Sequence, residues 1–140
     1  MTRVDHRGEP DLRVLIADDE PDVRLLLRLG LRHHSIAVVG EAADGHEVLA
    51  ACNEEPPDAI VLDLLMPKMN GFEVIPELQR DHPHIGIVAY TAVAGDFVRR
   101  EMTRLGIPLL LKSGDSGPLA EALHKAAHDA ARATQDESAT

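Results

Sequence analysis

Five short apolar runs alternate with five helix-length segments along this chain, and four of the runs end on a residue with chemistry to offer. Strict alternation of this kind leaves a narrow choice. Strands joined by helical crossovers run parallel, and the crossovers are right-handed. The strands read at 12–17, 36–41, 59–63, 86–91 and 108–111, with helices at 20–34, 45–55, 70–81, 94–105 and 116–131. Only 2% of the 140 residues are aromatic, so the core must be built from Leu, Val, Ile and Ala. That suits parallel strands covered by helices on both faces. The expected architecture is α/β, a single flavodoxin-like (βα)5 domain with a doubly wound parallel sheet of order 2-1-3-4-5.

Residues 1–10, polar with Gly8 and Pro10, read as a flexible leader; 11–130 carry the domain; 131–140, with no apolar period, read as a disordered tail. The single Cys52 excludes an internal disulfide and fits a reducing compartment. No apolar run approaches the roughly 18 residues of a membrane span, which points to a soluble cytoplasmic protein. A net charge of −10 argues against direct contact with nucleic acid, which calls for a basic patch. Arg24, Arg28 and Arg32 do recur at i, i+4 and i+8, and in so acidic a chain they read as a solvated helix face.

In an open α/β sheet the carboxyl ends of the strands line one crevice, and ligands bind there at the first and third strands. Asp18 and Asp19 end the first strand, Asp63 the third, Thr91 the fourth, and Lys112 follows the fifth. Three carboxylates brought together raise one another's pKa unless a cation intervenes. An all-oxygen set suits Mg²⁺, which takes one or two carboxylates and keeps waters and a phosphate oxygen. Lys112 supplies a point charge for an anion, and Thr91 a hydroxyl that can donate to a phosphoryl oxygen. The parts fit Asp63 as a carboxylate nucleophile toward phosphorus, giving an acyl phosphate. A structural alternative stands for the acidic pair, since Asp19 or Asp22 could cap the first helix.

These residues sit in stretches that resemble the receiver domain of two-component response regulators over about residues 11–130. The matching pieces are Val-Leu-Ile-Ala-Asp18-Asp19-Glu20-Pro21, Val-Leu-Asp63-Leu-Leu-Met-Pro67-x-Met-x-Gly71, Tyr-Thr91-Ala92 and Leu-Leu-Lys112. The resemblance implies that Asp63 is the phosphoacceptor. It implies that Asp18, Asp19, Asp63 and the Leu65 backbone carbonyl hold Mg²⁺, and that Thr91 and Lys112 read the phosphoryl group. The donor would be a sensor histidine kinase or a histidine phosphotransfer protein. The chain would catalyse only its own phosphorylation and slow dephosphorylation, and would not be an enzyme on other substrates. Residues 36–45 look most like the NarL/LuxR branch, here as a stand-alone receiver with no DNA-binding domain. The OmpR-type signature around the last strand is missing, so a monomer or a weak phosphorylation-dependent dimer is expected, acting on an output protein the sequence does not identify.

Three departures from the family pattern carry expectations. Ser113 follows Lys112 where a proline with a cis bond is usual; a non-proline cis bond costs about 2.5–4 kcal/mol, so Lys112–Ser113 is expected trans. Leu109 stands three residues before Lys112, where the family places an aromatic, and Tyr90 is the only tyrosine. Leu65 and Val93, two residues after Asp63 and Thr91, are aliphatic where they flank the route of the attacking water. Hydrolysis needs that water held in line, so the phosphorylated state is expected to be long-lived.

The first helix has an apolar arc of Val23, Leu25, Leu26, Leu27, Leu29 and Leu31, wider than the roughly 100° that one buried face requires. Either part of it meets a partner, as this helix docks the kinase in the family, or the helix is sunk between its neighbours. His124 and His128 have a zinc-compatible spacing but no third ligand in the sequence, and read as surface residues. Two rivals to the switch remain. One is a constitutive binding module that never uses its phosphosite. The other is a phosphohydrolase of the haloacid dehalogenase type, which wants a second Asp where Leu65 stands.

Overall fold

A computed structural model describes residues 11–92 and 94–139, with side chains described as far as 135. The strands are β1 (Leu12–Ala17), β2 (Ile36–Ala42), β3 (Ala59–Leu62), β4 (Gly86–Thr91) and β5 (Leu109–Leu111). The helices are α1 (Pro21–Leu31), α2 (Gly45–Glu54), α3 (Gly71–Asp81), α4 (Asp96–Leu105) and α5 (Ser116–Ala139). All four strand pairings are parallel, and the order is β2-β1-β3-β4-β5, as the alternation requires.

Because side chains alternate across a strand, β1 feeds two cores. Leu15 and Ala17 pack with Val48, Cys52, Ile60, Leu62, Val74 and Leu78 beneath α2 and α3. Val14 and Ile16 pack with Leu27, Leu31, Val61, Val88, Leu119 and Leu123 beneath α1 and α5. Each fully buried Leu, Ile or Val contributes about 1.5–3 kcal/mol of transfer free energy, so aliphatic packing alone can carry the sheet. Cys52 is one of these small apolar residues, its thiol pushed up to about 11 by burial.

Two features differ from the expectations drawn from the sequence. The first helix yields after Leu31 to a 3₁₀ turn at Arg32–His34, and Ser35 at φ 59° ends it. Residues 131–139, read as disordered, continue α5. Adding residues to an existing helix avoids the nucleation cost, the segment holds neither Gly nor Pro, and Ala130 and Ala133 line an apolar groove of about 390 Å³ with Ile85, Ile87 and Ile107. The leader at 1–10 lies outside the described residues. Among those described, no helix is long and apolar enough to cross a membrane.

Candidate functional site

Register brings the site together. Ala17 at the end of β1 pairs with Leu62 of β3, and Leu62 pairs with Ala89 of β4. The next residues, Asp18 and Asp63, therefore leave the sheet side by side, anchored by Asp18 N–H to Ala42 O and Asp63 N–H to Ala17 O, both 2.9 Å. Thr91 pairs with Leu111, which places Lys112 one step beyond. Asp18 is 1% exposed and Asp63 4%, and Thr91 is equally buried.

Lys112 links the two aspartates. Its Nζ lies 2.7 Å from Asp18 Oδ2 and 3.3 Å from Asp63 Oδ2. Burial works against the ammonium, but hydrogen bonding to Asp18 and attraction to both carboxylates outweigh it and hold Lys112 above its ordinary range. Burial pushes the Asp63 carboxyl above the usual carboxylate range and the Asp18 charge adds to this, while the Leu65 N–H and Lys112 pull the other way.

The loop after β3 is built to hold Asp63 still. Asn70 and Glu73 form a reciprocal capping box at the start of α3. Gly71 begins the helix pressed against the strand end, where an added Cβ would lie 2.7 Å from Asp63 O and 2.8 Å from Leu64 Cα. Met66 is buried, Lys68 turns the chain at φ 65°, and Gly45 N–H donates to Met69 O at 2.7 Å. Leu65 N–H donates to Asp63 Oδ1 at 3.2 Å, while its side chain stands 63% exposed beside the site. Val93, its expected counterpart, lies outside the described residues.

Asp18, Asp19 and Glu20 can bring one carboxylate oxygen each to within 4.8 Å of one another, the only such cluster of three among the described residues. A set of carboxylate oxygens with one buried and two exposed members fits a hard divalent cation. Glu20 is the member that motif reading passed over. Neither Asp19 nor Asp22 caps α1: Glu20 holds the N-cap position without a side-chain cap, Pro21 follows, and Asp18 Oδ1 accepts from Glu20 N–H at 2.9 Å.

Two of the three arginines of the stripe, Arg24 and Arg28, are held by neighbouring elements. Arg24 donates to Asp18 O at 2.6 Å and to Glu41 Oε1 at 2.9 Å, and Arg28 donates to Glu41 Oε2 at 2.7 Å. Leu25, Leu26 and Leu29 of α1 are exposed, so this helix is not sunk between its neighbours. His124 Nε2 lies 2.9 Å from His34 O and ties α5 to the 3₁₀ turn. No peptide bond among the described residues is cis, so Lys112–Ser113 is trans as expected. Ser113 N–H donates to the Tyr90 hydroxyl at 3.2 Å, a contact that no local pattern announces.

The family of response regulator receiver domains matches residues 14–124 of this chain. Chemotaxis protein CheY of Thermotoga maritima is 31% identical over 114 residues, which cover 81% of this chain and 95% of that protein. Response regulator protein VraR of Staphylococcus aureus is 34% identical over 116 residues, covering 81% of this chain but only 56% of that longer relative. Among solved structures, the signal receiver domain of NarL from Mycobacterium tuberculosis superimposes with a TM-score of 0.77 at 27% identity, over 84% of this chain and 97% of that one.

Proposed function

The chain belongs to the family of response regulator receiver domains of two-component systems, and from that premise we propose that it is a phosphorylation switch whose phosphoacceptor is Asp63. The observation that supports this reading most is the single Lys112 ammonium reaching the buried Asp18 and Asp63 together, at the ends of adjacent strands. In the proposed reaction an Asp63 Oδ attacks the phosphorus of a phosphohistidine on a sensor kinase or phosphotransfer protein. The P–N bond breaks, its electron pair goes to the imidazole nitrogen, which takes a proton from solvent, and an acyl phosphate remains on Asp63. Lys112 then exchanges its hold on a carboxylate for a phosphoryl oxygen, and the Thr91 hydroxyl donates to another. Asp18, Asp19, Asp63 and the Leu65 carbonyl would hold Mg²⁺, with Glu20 near enough to join, and the ion would supply neutralisation of the developing charge.

Signalling follows from a shift between two conformations; moving 1:99 to 99:1 takes about 5.5 kcal/mol of differential interaction. The exposed Leu25, Leu26 and Leu29 beside the β1 end of the site offer the donor a docking face. Output runs through contact with a protein rather than nucleic acid, since the chain is acidic and Arg24 and Arg28 are committed to Glu41. The chain acts in the cytoplasm, as a monomer or a weak dimer that phosphorylation promotes, and turns over no external substrate.

The test is intact mass after incubation with Mg²⁺ and acetyl phosphate, beside Asp63→Asn. One phosphoryl group on the wild type and none on the variant is expected. Equal uptake by Asp63→Asn would move the acceptor elsewhere, and signalling that survives Asp63→Asn in cells would favour the constitutive binding module.

A further inference from the structure

Lys112 reaches the two aspartates, but the backbone behind it decides where it points. Its own N–H donates to Thr91 O at 2.8 Å and extends the β4–β5 hydrogen bonding by one rung. The next peptide leaves the sheet, and its N–H, that of Ser113, donates to the Tyr90 hydroxyl. Tyr90 is 5% exposed and belongs to the core beneath α1 and α5, so packing fixes the place of the phenol oxygen. Beyond Ser113 the chain turns through Asp115 N–H to Ser113 Oγ at 3.3 Å and Gly117 N–H to Asp115 Oδ1 at 3.0 Å, straight into α5.

Packing does not clamp Lys112 from this side. A pocket of about 130 Å³ opens against it, lined also by Val23, Leu26, Leu27, Tyr90 and Gly114. The Tyr90–Ser113 hydrogen bond is thus the restraint that ties the Lys112–Ser113 peptide to the core, beside the Lys112 N–H bond to Thr91 O on the sheet side, and a proline at 113 could not make it. We propose that Tyr90 is a positioning residue for Lys112: its hydroxyl pins the trans Lys112–Ser113 peptide and so aims the ammonium at Asp18 and Asp63. The role rests on the phosphoacceptor reading above and deepens it.

Tyr90→Phe tests this in the full chain, because it keeps the ring and its packing and removes only the acceptor. Three readouts are needed: the Ser113 amide in a ¹H–¹⁵N spectrum, the affinity for Mg²⁺ alone, and the rate of phosphoryl uptake from saturating acetyl phosphate with Mg²⁺. The Ser113 amide shifts, Mg²⁺ affinity stays within about twofold, and uptake slows about tenfold, since sub-ångström misplacement of a charge-stabilising group costs rate. Wild-type uptake with unchanged uptake by Tyr90→Phe overturns the positioning role alone. Loss of Mg²⁺ affinity in step with rate overturns it too, by showing a general disturbance of the site. A wild type that takes up no phosphoryl group overturns the phosphoacceptor reading and this role with it.

Discussion

The loop after β3 and the segments after β1 and β5 meet at one site but are held by different forces. Asp63 is fixed by shape: Gly71 against its carbonyl, the Asn70–Glu73 box, and Met66 in the core. Asp18 and Lys112 are fixed by polar contacts from neighbouring elements, Arg24 to Asp18 O on one side and Tyr90 to Ser113 N–H on the other. Packing forces are steep and stiff, whereas single hydrogen bonds contribute about 0.5–1.5 kcal/mol and can be exchanged for others. The difference suits the proposed chemistry. A nucleophile benefits from standing still, while a lysine that must pass from carboxylate to phosphoryl oxygen benefits from a lighter hold.

The largest effect should come from the packed side. In Gly71→Ala the new methyl meets backbone atoms at 2.7 and 2.8 Å, which cannot swing away as a side-chain tip could. Overpacking of this sort costs about 1–3 kcal/mol, read from the urea midpoint at unchanged slope. A loss below about 0.5 kcal/mol, the scale of an ordinary surface change, would break the contrast, because the loop would then yield as easily as its neighbours.

The polar side should respond less, and with a pH signature. Hydrogen bonding to Arg28 pulls the Glu41 carboxyl below its ordinary range, partial burial opposes this, and Arg24 adds to the lowering. A depressed folded-state pKa means that the stabilisation is present above the unfolded value and is lost as pH falls through the folded one. Glu41→Gln should therefore cost about 0.5–1 kcal/mol near pH 7, the range for a partly exposed ion-pair network. The gap between wild type and variant should begin to narrow near the ordinary range of the carboxyl, about pH 4, and close only below it, as the medium passes through the depressed folded-state value. A gap that does not narrow at all as the medium is taken well below that range would mean that Glu41 acts through its shape rather than its charge.

The same division explains what the sequence revealed. Four of the five strand ends were legible because their apolar runs stop on Asp18, Asp63, Thr91 or Lys112, and the Asn70-Gly71 start of α3 carries its capping residues in local order. Contacts between elements were not legible. Glu41 lies 17 residues from Arg24 and Tyr90 lies 23 from Ser113, and nothing local in either stretch marks its partner. The carboxyl-terminal turns of α5 were missed for the opposite reason. They show no apolar period, yet adding residues to a helix already formed avoids the cost of a new nucleus, and this run holds neither Gly nor Pro to stop it.

Leu65 belongs to the packed loop by sequence but not by contact, which makes it the sharpest probe of where rigidity ends. Its N–H is bound to Asp63 Oδ1 while its side chain stands largely in solvent, so Leu65→Asn should change stability by less than about 0.5 kcal/mol. Its effect should fall on lifetime instead. Hydrolysis of an aspartyl phosphate needs a water held in line with the leaving oxygen, and an aliphatic side chain offers that water no hydrogen bond. An amide at 65 does, and Val93→Glu would add a second polar group. The phosphorylated double variant should therefore decay about tenfold faster than the wild type, short of the roughly 10²–10⁴ that an optimally positioned polar group contributes to proton transfer, because side chains grafted onto this loop are not optimally placed. Decay followed by intact mass after removal of the donor reads this directly. An unchanged rate would mean that the aliphatic pair does not control the water, and that the lifetime is set by the packed backbone around Asp63.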